Sequence, residues 1–277
     1  MRRLVYEVSL KVQSQRTNSM NRNIFPLEGK VVLVSGASKG IGHAIAETLG
    51  EQGAYVIAHY GSDKDGAIDA TKSIPDTKKK LIQADMSARE GFKKLWDEAV
   101  SWQGKVDVVV ANAAIMPEAS ILDSDEIWSK AWDSAFEVNV RSTAFLIREA
   151  VKHFLENSGG VIIGLSSWAA QRGSGNPNLS GYAASKAPIN PFLKTIAKTY
   201  AKEGVYAYLI APGIVRTAMS ENSAKSLGGE EKITAGLAMG EWVPPQEIAN
   251  LVAFLATGEQ HHLTGATFDI NGASYIR

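Results

Sequence analysis

There is no cysteine among the 277 residues. That absence removes disulfides, thiolate nucleophiles and cysteine-ligated metals, and it fits a cytoplasmic setting. Net charge is missing too. The 29 basic side chains are matched by 29 acidic ones, so no field of one sign draws the chain to nucleic acid, anionic lipid or an acidic protein partner. No apolar run approaches the roughly 18 residues of a membrane span. What remains is 45% hydrophobic and 21% charged, enough to bury one sizeable core as a single α/β domain. Small molecules are the expected partners, and no metal site is expected.

Residues 1–22 stand apart. Arg2, Arg3, Lys11, Arg16 and Arg22 are opposed only by Glu7, with Ser9, Ser14 and Ser19 interspersed. Such a composition suits a targeting presequence, but Glu7 and the lack of a long apolar stretch weigh against organellar and secretory signals. The expectation is a disordered extension over 1–22, with Met20 as a natural start, followed by one domain over 23–277.

From Lys30 onward, short β-branched runs alternate with longer helical patterns. Strands are predicted at 31–35, 55–59, 81–84, 106–110, 161–165, 206–210 and 267–270, and helices at 43–52, 89–102, 126–156, 182–202 and 246–256. The strand runs are nearly continuous in apolar residues, as expected when helices cover both faces of a parallel sheet. Gly53, Gly104, Gly159, Gly160 and Gly204 stand where those helices should stop. The pattern predicts a doubly wound, Rossmann-type sheet of seven parallel strands. Only 217–242 breaks the rhythm. It reads as a loop with short helices, either a lid or a surface insertion.

The first strand runs directly into Ser35-Gly36-Ala37-Ser38-Lys39-Gly40-Ile41-Gly42 and then into a helix. Glycines in that position let backbone approach a dinucleotide pyrophosphate, and the helix N-terminus favours its charge. Their spacing differs from Gly-x-Gly-x-x-Gly, and a Gly-rich turn without a ligand is the competing explanation. After the second strand, His59-Tyr60-Gly61-Ser62 offers no carboxylate before Asp63. Lys39 and Ser62 could hold a 2′-phosphate there, so NADP is favoured over NAD. A solvated surface lysine is the alternative for Lys39.

Tyr182-Ala183-Ala184-Ser185-Lys186 opens a helical stretch, which sets the phenol and the ammonium four residues apart on one face. A free tyrosine titrates near 10, and a neighbouring ammonium would lower that value toward useful acidity. Alone, this pair is a common coincidence. Ser166 and Ser167 end the fifth strand, where a hydroxyl can point into a ligand crevice. Asn139, amid apolar neighbours in a helical run, suggests either a specific hydrogen-bonding task or a structural bend.

In this order and spacing, the residues make the chain resemble the short-chain dehydrogenase/reductase family, in its 3-oxoacyl reductase-like branch, over nearly all of 27–277. The family's Gly-x-x-x-Gly-x-Gly turn is met by Gly36, Gly40 and Gly42, with Ser38, Lys39 and Ile41 between them. Its adenine-contacting Asp is met by Asp85, followed by Met86, and its Asn-Asn-Ala-Gly by Ala111-Asn112-Ala113-Ala114. The catalytic Asn, Ser, Tyr and Lys fall on Asn139, Ser167, Tyr182 and Lys186. The Pro-Gly turn and following Thr fall on Pro212, Gly213 and Thr217, and Tyr60 and Ser62 complete the expected cofactor set.

The resemblance implies reduction of a small ketone, or oxidation of the alcohol, by hydride transfer from the nicotinamide. Tyr182 would be the general acid/base and Ser167 the group polarising the carbonyl. Lys186 would hold the nicotinamide ribose and depress the Tyr182 pKa, and Asn139 would position a relay water. It also implies a homotetramer, with 271–277 near an interface. Met116, Trp168, Ile214, Met219 and Trp242 are candidates for an apolar substrate pocket, with core packing as the competing explanation for each.

Several departures from the family pattern bear on substrate. Ala111 and Ala114 replace an Asn and a Gly, Ser167 precedes Tyr182 by 15 positions through a lengthened loop, and Pro188 and Pro191 should kink the catalytic helix. Ser158 and Glu203 stand where carrier-protein reductases have arginines, which favours a free ketone. The alternatives are a 3-oxoacyl-thioester reductase, an NAD-dependent sugar or polyol dehydrogenase, and a non-catalytic cofactor-binding regulator. The intact Asn139, Ser167, Tyr182 and Lys186 argue against the last. Ser180, standing where its tyrosine would be, argues against an enoyl reductase.

Overall fold

The apolar runs become strands, buried on both faces in the middle of the sheet and partly exposed at its two edges. In the computed structural model, which describes residues 26–277, these are β1 (Val31–Val34), β2 (Tyr55–Tyr60), β3 (Lys79–Gln83), β4 (Val108–Ala111), β5 (Gly160–Leu165), β6 (Val205–Pro212) and β7 (Thr267–Ile270). All pair in parallel, in the order β3-β2-β1-β4-β5-β6-β7. This is the doubly wound sheet the alternating pattern predicts. The extension expected over 1–22 lies outside the described residues.

The helices are α1 (Gly40–Glu51), α2 (Lys64–Ala70), α3 (Gly91–Gln103), α4 (Asp125–Phe136), α5 (Thr143–Glu156), α6 (Ala169–Arg172), α7 (Ser180–Ser185), α8 (Ile189–Tyr200), α9 (Ala218–Ser226), α10 (Glu230–Thr234) and α11 (Pro245–Ala256). Alternate strand residues feed two cores, because successive side chains point to opposite faces of a sheet. Val32, Val34, Val108 and Ile163 pack with Ile45 and Leu49 of α1 and Ile248 and Val252 of α11. Val31, Leu33, Val109 and Ile162 pack with Leu95 of α3, Leu146 and Phe154 of α5 and Leu193 of α8. Gly104 and Gly204, with φ of +70 and +78, take the left-handed turn that ends a helix.

Two predicted helices are interrupted, both beside the site. The run expected over 126–156 is α4 and α5 joined by a π-helical stretch, Glu137–Ser142, with Asn139 inside it. The Thr143 hydroxyl donates to the Val138 carbonyl at 3.0 Å. A wider turn adds a residue without erasing the apolar stripe, so periodicity does not show it. The run expected over 182–202 divides after Lys186. Pro188, which has no N–H, begins α8 instead. Helix α2 is not among the predicted elements; Asp63 starts it by accepting from the Gly66 N–H at 3.0 Å. The 217–242 segment contains the short helices expected of it.

Candidate active site

Strand order reverses between β1 and β4, and a crevice opens there beyond the strands' carboxyl ends. Its volume is about 710 Å³, within the range of small-ligand pockets. The glycine turn forms one wall. Gly36 has φ +69, and a Cβ on it would stand 2.9 Å from the Ala113 Cα; a Cβ on Gly42 would collide with the Gly36 carbonyl oxygen. Both positions therefore require glycine.

Polar side chains fasten this turn to β4. Asn112 Nδ2 donates to the carbonyls of Ser35 and Gly36 at 2.9 and 3.0 Å. Ser35 Oγ donates to the Val110 carbonyl and accepts from the Asn112 and Ala113 amides. The strand is thus tied without the family residues that Ala111 and Ala114 replace.

The crevice suits a dinucleotide. Helix α1 has no side-chain cap and no carboxylate in its first turn. Its leading amides, at Gly40, Ile41 and Gly42, line the crevice, so their partial positive charge is available to a phosphate. Ser38, Lys39, Ser62, Asp85, Met86, Asn112, Ala113, Pro212 and Thr217 line it as well. Asp85 is held below the usual carboxylate range, chiefly by the Ser87 hydroxyl, which donates to it at 2.6 Å. Lys39 does not stand unpaired: its Nζ lies 3.2 Å from Asp63. The Gly66 amide and then Lys39 hold that carboxylate low.

Tyr60 and Gly213 do not line the crevice. Tyr60 is turned inward and buried, and Gly213 packs against Asn271 and Trp168. Trp242, expected in the substrate pocket, likewise lies outside the crevice lining. It is 2% exposed, donates to Thr234 Oγ1 at 2.8 Å and carries the Arg216 guanidinium over its ring, so its indole is a packing element. Met116 and Trp168 lie outside the crevice lining, while Ile115 and Met219 are within it.

At the inner end, α7 presents Tyr182, and Lys186 follows as the residue capping that helix. Lys186 is buried, and its Nζ donates to the Leu165 carbonyl at the end of β5. Ser166 Oγ donates to the Lys186 carbonyl, while Ser167 Oγ accepts from the Ala169 amide at 3.1 Å and lies near enough to the Tyr182 phenol to favour its charged form. Burial pushes Tyr182 up to about 12 and Lys186 down to about 8. The phenol therefore stands above its free value, not below it as expected from a neighbouring ammonium. Desolvation penalises the charged form of both groups, and only the nearby Ser167 acts to lower Tyr182.

Asn139 is buried, and its amide makes three hydrogen bonds. Oδ1 accepts from the Ile115 amide, and Nδ2 donates to the Ile115 carbonyl and to Ser185 Oγ, each at 2.9 Å. Ser185 Oγ in turn donates to the Tyr182 carbonyl at 2.8 Å. Both amide protons are spent on protein, and through these bonds Asn139 braces α7 against the loop after β4. Sequence reasoning missed Ser185, which lies inside the quoted motif, and His59, a lone polar side chain ending an apolar strand.

Fold and crevice together define a Rossmann-type oxidoreductase with a tyrosine and a lysine at the inner end of the crevice. Residues 36–273 match a family model described as enoyl-(acyl carrier protein) reductase. The 3beta-hydroxysteroid dehydrogenase 1 of Eggerthella lenta is 34% identical over 89% of this chain and 94% of its own length. A crystal structure of the Brucella melitensis 3-ketoacyl-(acyl-carrier-protein) reductase complexed with NADH superposes with a TM-score of 0.79 at 29% identity, covering 90% of this chain and all of that one. A Beutenbergia cavernae protein described as an NAD(P)-dependent gluconate 5-dehydrogenase, with bound NADP, superposes at 0.81 with 28% identity, over 91% and 99% of the two chains. The chain belongs to the short-chain dehydrogenase/reductase family.

Proposed function

We propose that the protein is an NADP-dependent reductase of a small ketone, or in reverse an oxidant of the corresponding alcohol. The carrying observation is that Tyr182 and buried Lys186, whose Nζ is held by the Leu165 carbonyl, both line the inner end of a crevice that suits a dinucleotide. The nicotinamide supplies hydride chemistry when bound. Tyr182 donates the proton to the substrate oxygen, Ser167 hydrogen-bonds to that oxygen, and Lys186 holds the ribose side of the site. Lys39 and Ser62 support the 2′-phosphate. Asp63 competes for Lys39, which makes NAD the specific alternative.

The Brucella and Beutenbergia relatives support two further substrate classes, 3-oxoacyl thioesters and sugar acids. Loss of NADPH and NADH absorbance against ketones, 3-oxoacyl thioesters, hydroxysteroids and sugars separates these readings. A Tyr182→Phe variant as active as wild type would overturn the mechanism. A cytoplasmic homotetramer, supported by the family resemblance, belongs to the same proposal; light scattering on the purified chain tests its mass.

A further inference from the structure

We propose that His59 is the positioning residue of the phosphate turn: its ring braces the first turn glycine against the third strand, and this sets cofactor affinity rather than the rate of the chemical step. The inference rests on the dinucleotide reading above.

His59 sits one residue before the end of β2 and is 2% exposed. Its Nδ1 accepts from the Gly36 amide at 3.0 Å, and its Nε2 lies 3.0 Å from the Ala84 carbonyl. Both partners are backbone groups with fixed roles, since an amide can only donate and a carbonyl can only accept. The ring must therefore be neutral and carry its proton on Nε2. Burial acts in the same direction, holding the imidazole below its ordinary value.

The His59 carbonyl also accepts from the Ala37 amide at 2.8 Å. One residue thus fixes two successive amides of the turn and, through Ala84, the backbone leading to Asp85 on the opposite wall. Gly36 has no side chain to pack and a left-handed φ, so these bonds, with those of Asn112, decide where its peptide plane points. A tilt there would move the neighbouring amides away from a phosphate while leaving Tyr182, at the far end of the crevice, in place.

Two amide substitutions separate the halves of the brace. In His59→Asn, the side-chain oxygen occupies the place of Nδ1 and keeps the acceptor for Gly36. In His59→Gln, the amide lies one bond further out, keeping a donor for Ala84 and leaving Gly36 without its acceptor. NADPH and NADH are titrated by fluorescence into wild type and both variants. Thermal unfolding of the cofactor-free proteins and kcat at saturating cofactor are measured alongside.

His59→Asn is expected to bind within about threefold of wild type and His59→Gln about tenfold or more weakly, the cost of one unmade buried bond. For both, kcat should stay within about twofold, with unfolding midpoints close to each other. Equal binding by the two variants would overturn the brace, as would a fall in kcat matching the loss of affinity, or an affinity loss that tracks a lowered midpoint. Wild type binding neither cofactor would instead overturn the dinucleotide reading itself.

Discussion

The two ends of the crevice are built on different physics. At the glycine turn, Asn112, Ser35 and His59 hold the backbone by hydrogen bonds to fixed donors and acceptors, and the groups meant for the ligand are main-chain amides that do not titrate. At the inner end, Tyr182 and Lys186 titrate, and burial pushes both toward their neutral forms. The first end works by shape, so damage there should appear as lost affinity. The second works by proton affinity, so damage there should appear as lost rate and altered pH dependence.

The sharpest break in that contrast is Tyr182→Phe. It removes the proton donor and should lower kcat by about a hundred- to ten-thousand-fold while cofactor binding persists, as fluorescence titration would show. A comparable loss of affinity would erase the distinction between the two ends. Next comes Asn112→Ala, which deletes two bonds to the turn. It should weaken cofactor binding by about ten- to a hundredfold with kcat at saturation changed only a few-fold.

Lys186→Met tests the burial argument through stability. The lysine value is 10.5 for the unperturbed group and about 8 in the fold. Between these values the unfolded chain binds more protons, so the contribution of this site to stability rises as pH climbs through that window, and the cost of the buried ammonium is full below it. The unfolding midpoint of Lys186→Met relative to wild type should therefore be most favourable below pH 8 and decline toward pH 10. A pH-independent difference would break the argument. The smallest expected effect is at the mouth. Asp63→Asn removes the carboxylate 3.2 Å from Lys39 and keeps a cap for α2, so the preference for NADPH over NADH should rise by about a few-fold. An unchanged ratio would remove Lys39 from cofactor choice.

Much of the fold and part of the site are legible in the amino-acid sequence. The Gly36-Gly40-Gly42 spacing between a strand and a helix, and the four-residue step from Tyr182 to Lys186, are local patterns whose geometry follows from the elements carrying them. The misplaced residues share a cause. Tyr60 and Trp242 stand in chain positions adjacent to the site, but which way a side chain turns depends on what packs behind it; Trp242 turns toward Thr234 and Arg216. Asn139 stands out for the right reason, as a polar residue needing partners. Its partners, Ile115 and Ser185, lie 24 and 46 residues away, and no spacing rule reaches that far.

The sequence by itself determined the class of fold, the place of the glycine turn and the four-residue step that sets Tyr182 and Lys186 together, because each depends on periodicity or on residues close together in the chain. Tertiary structure alone decided that Lys39 meets Asp63, that His59 bridges two strands to the turn, and that burial raises Tyr182 and lowers Lys186. Those outcomes depend on desolvation and on contacts between distant segments, which exist only once the sheet has brought its strand ends together.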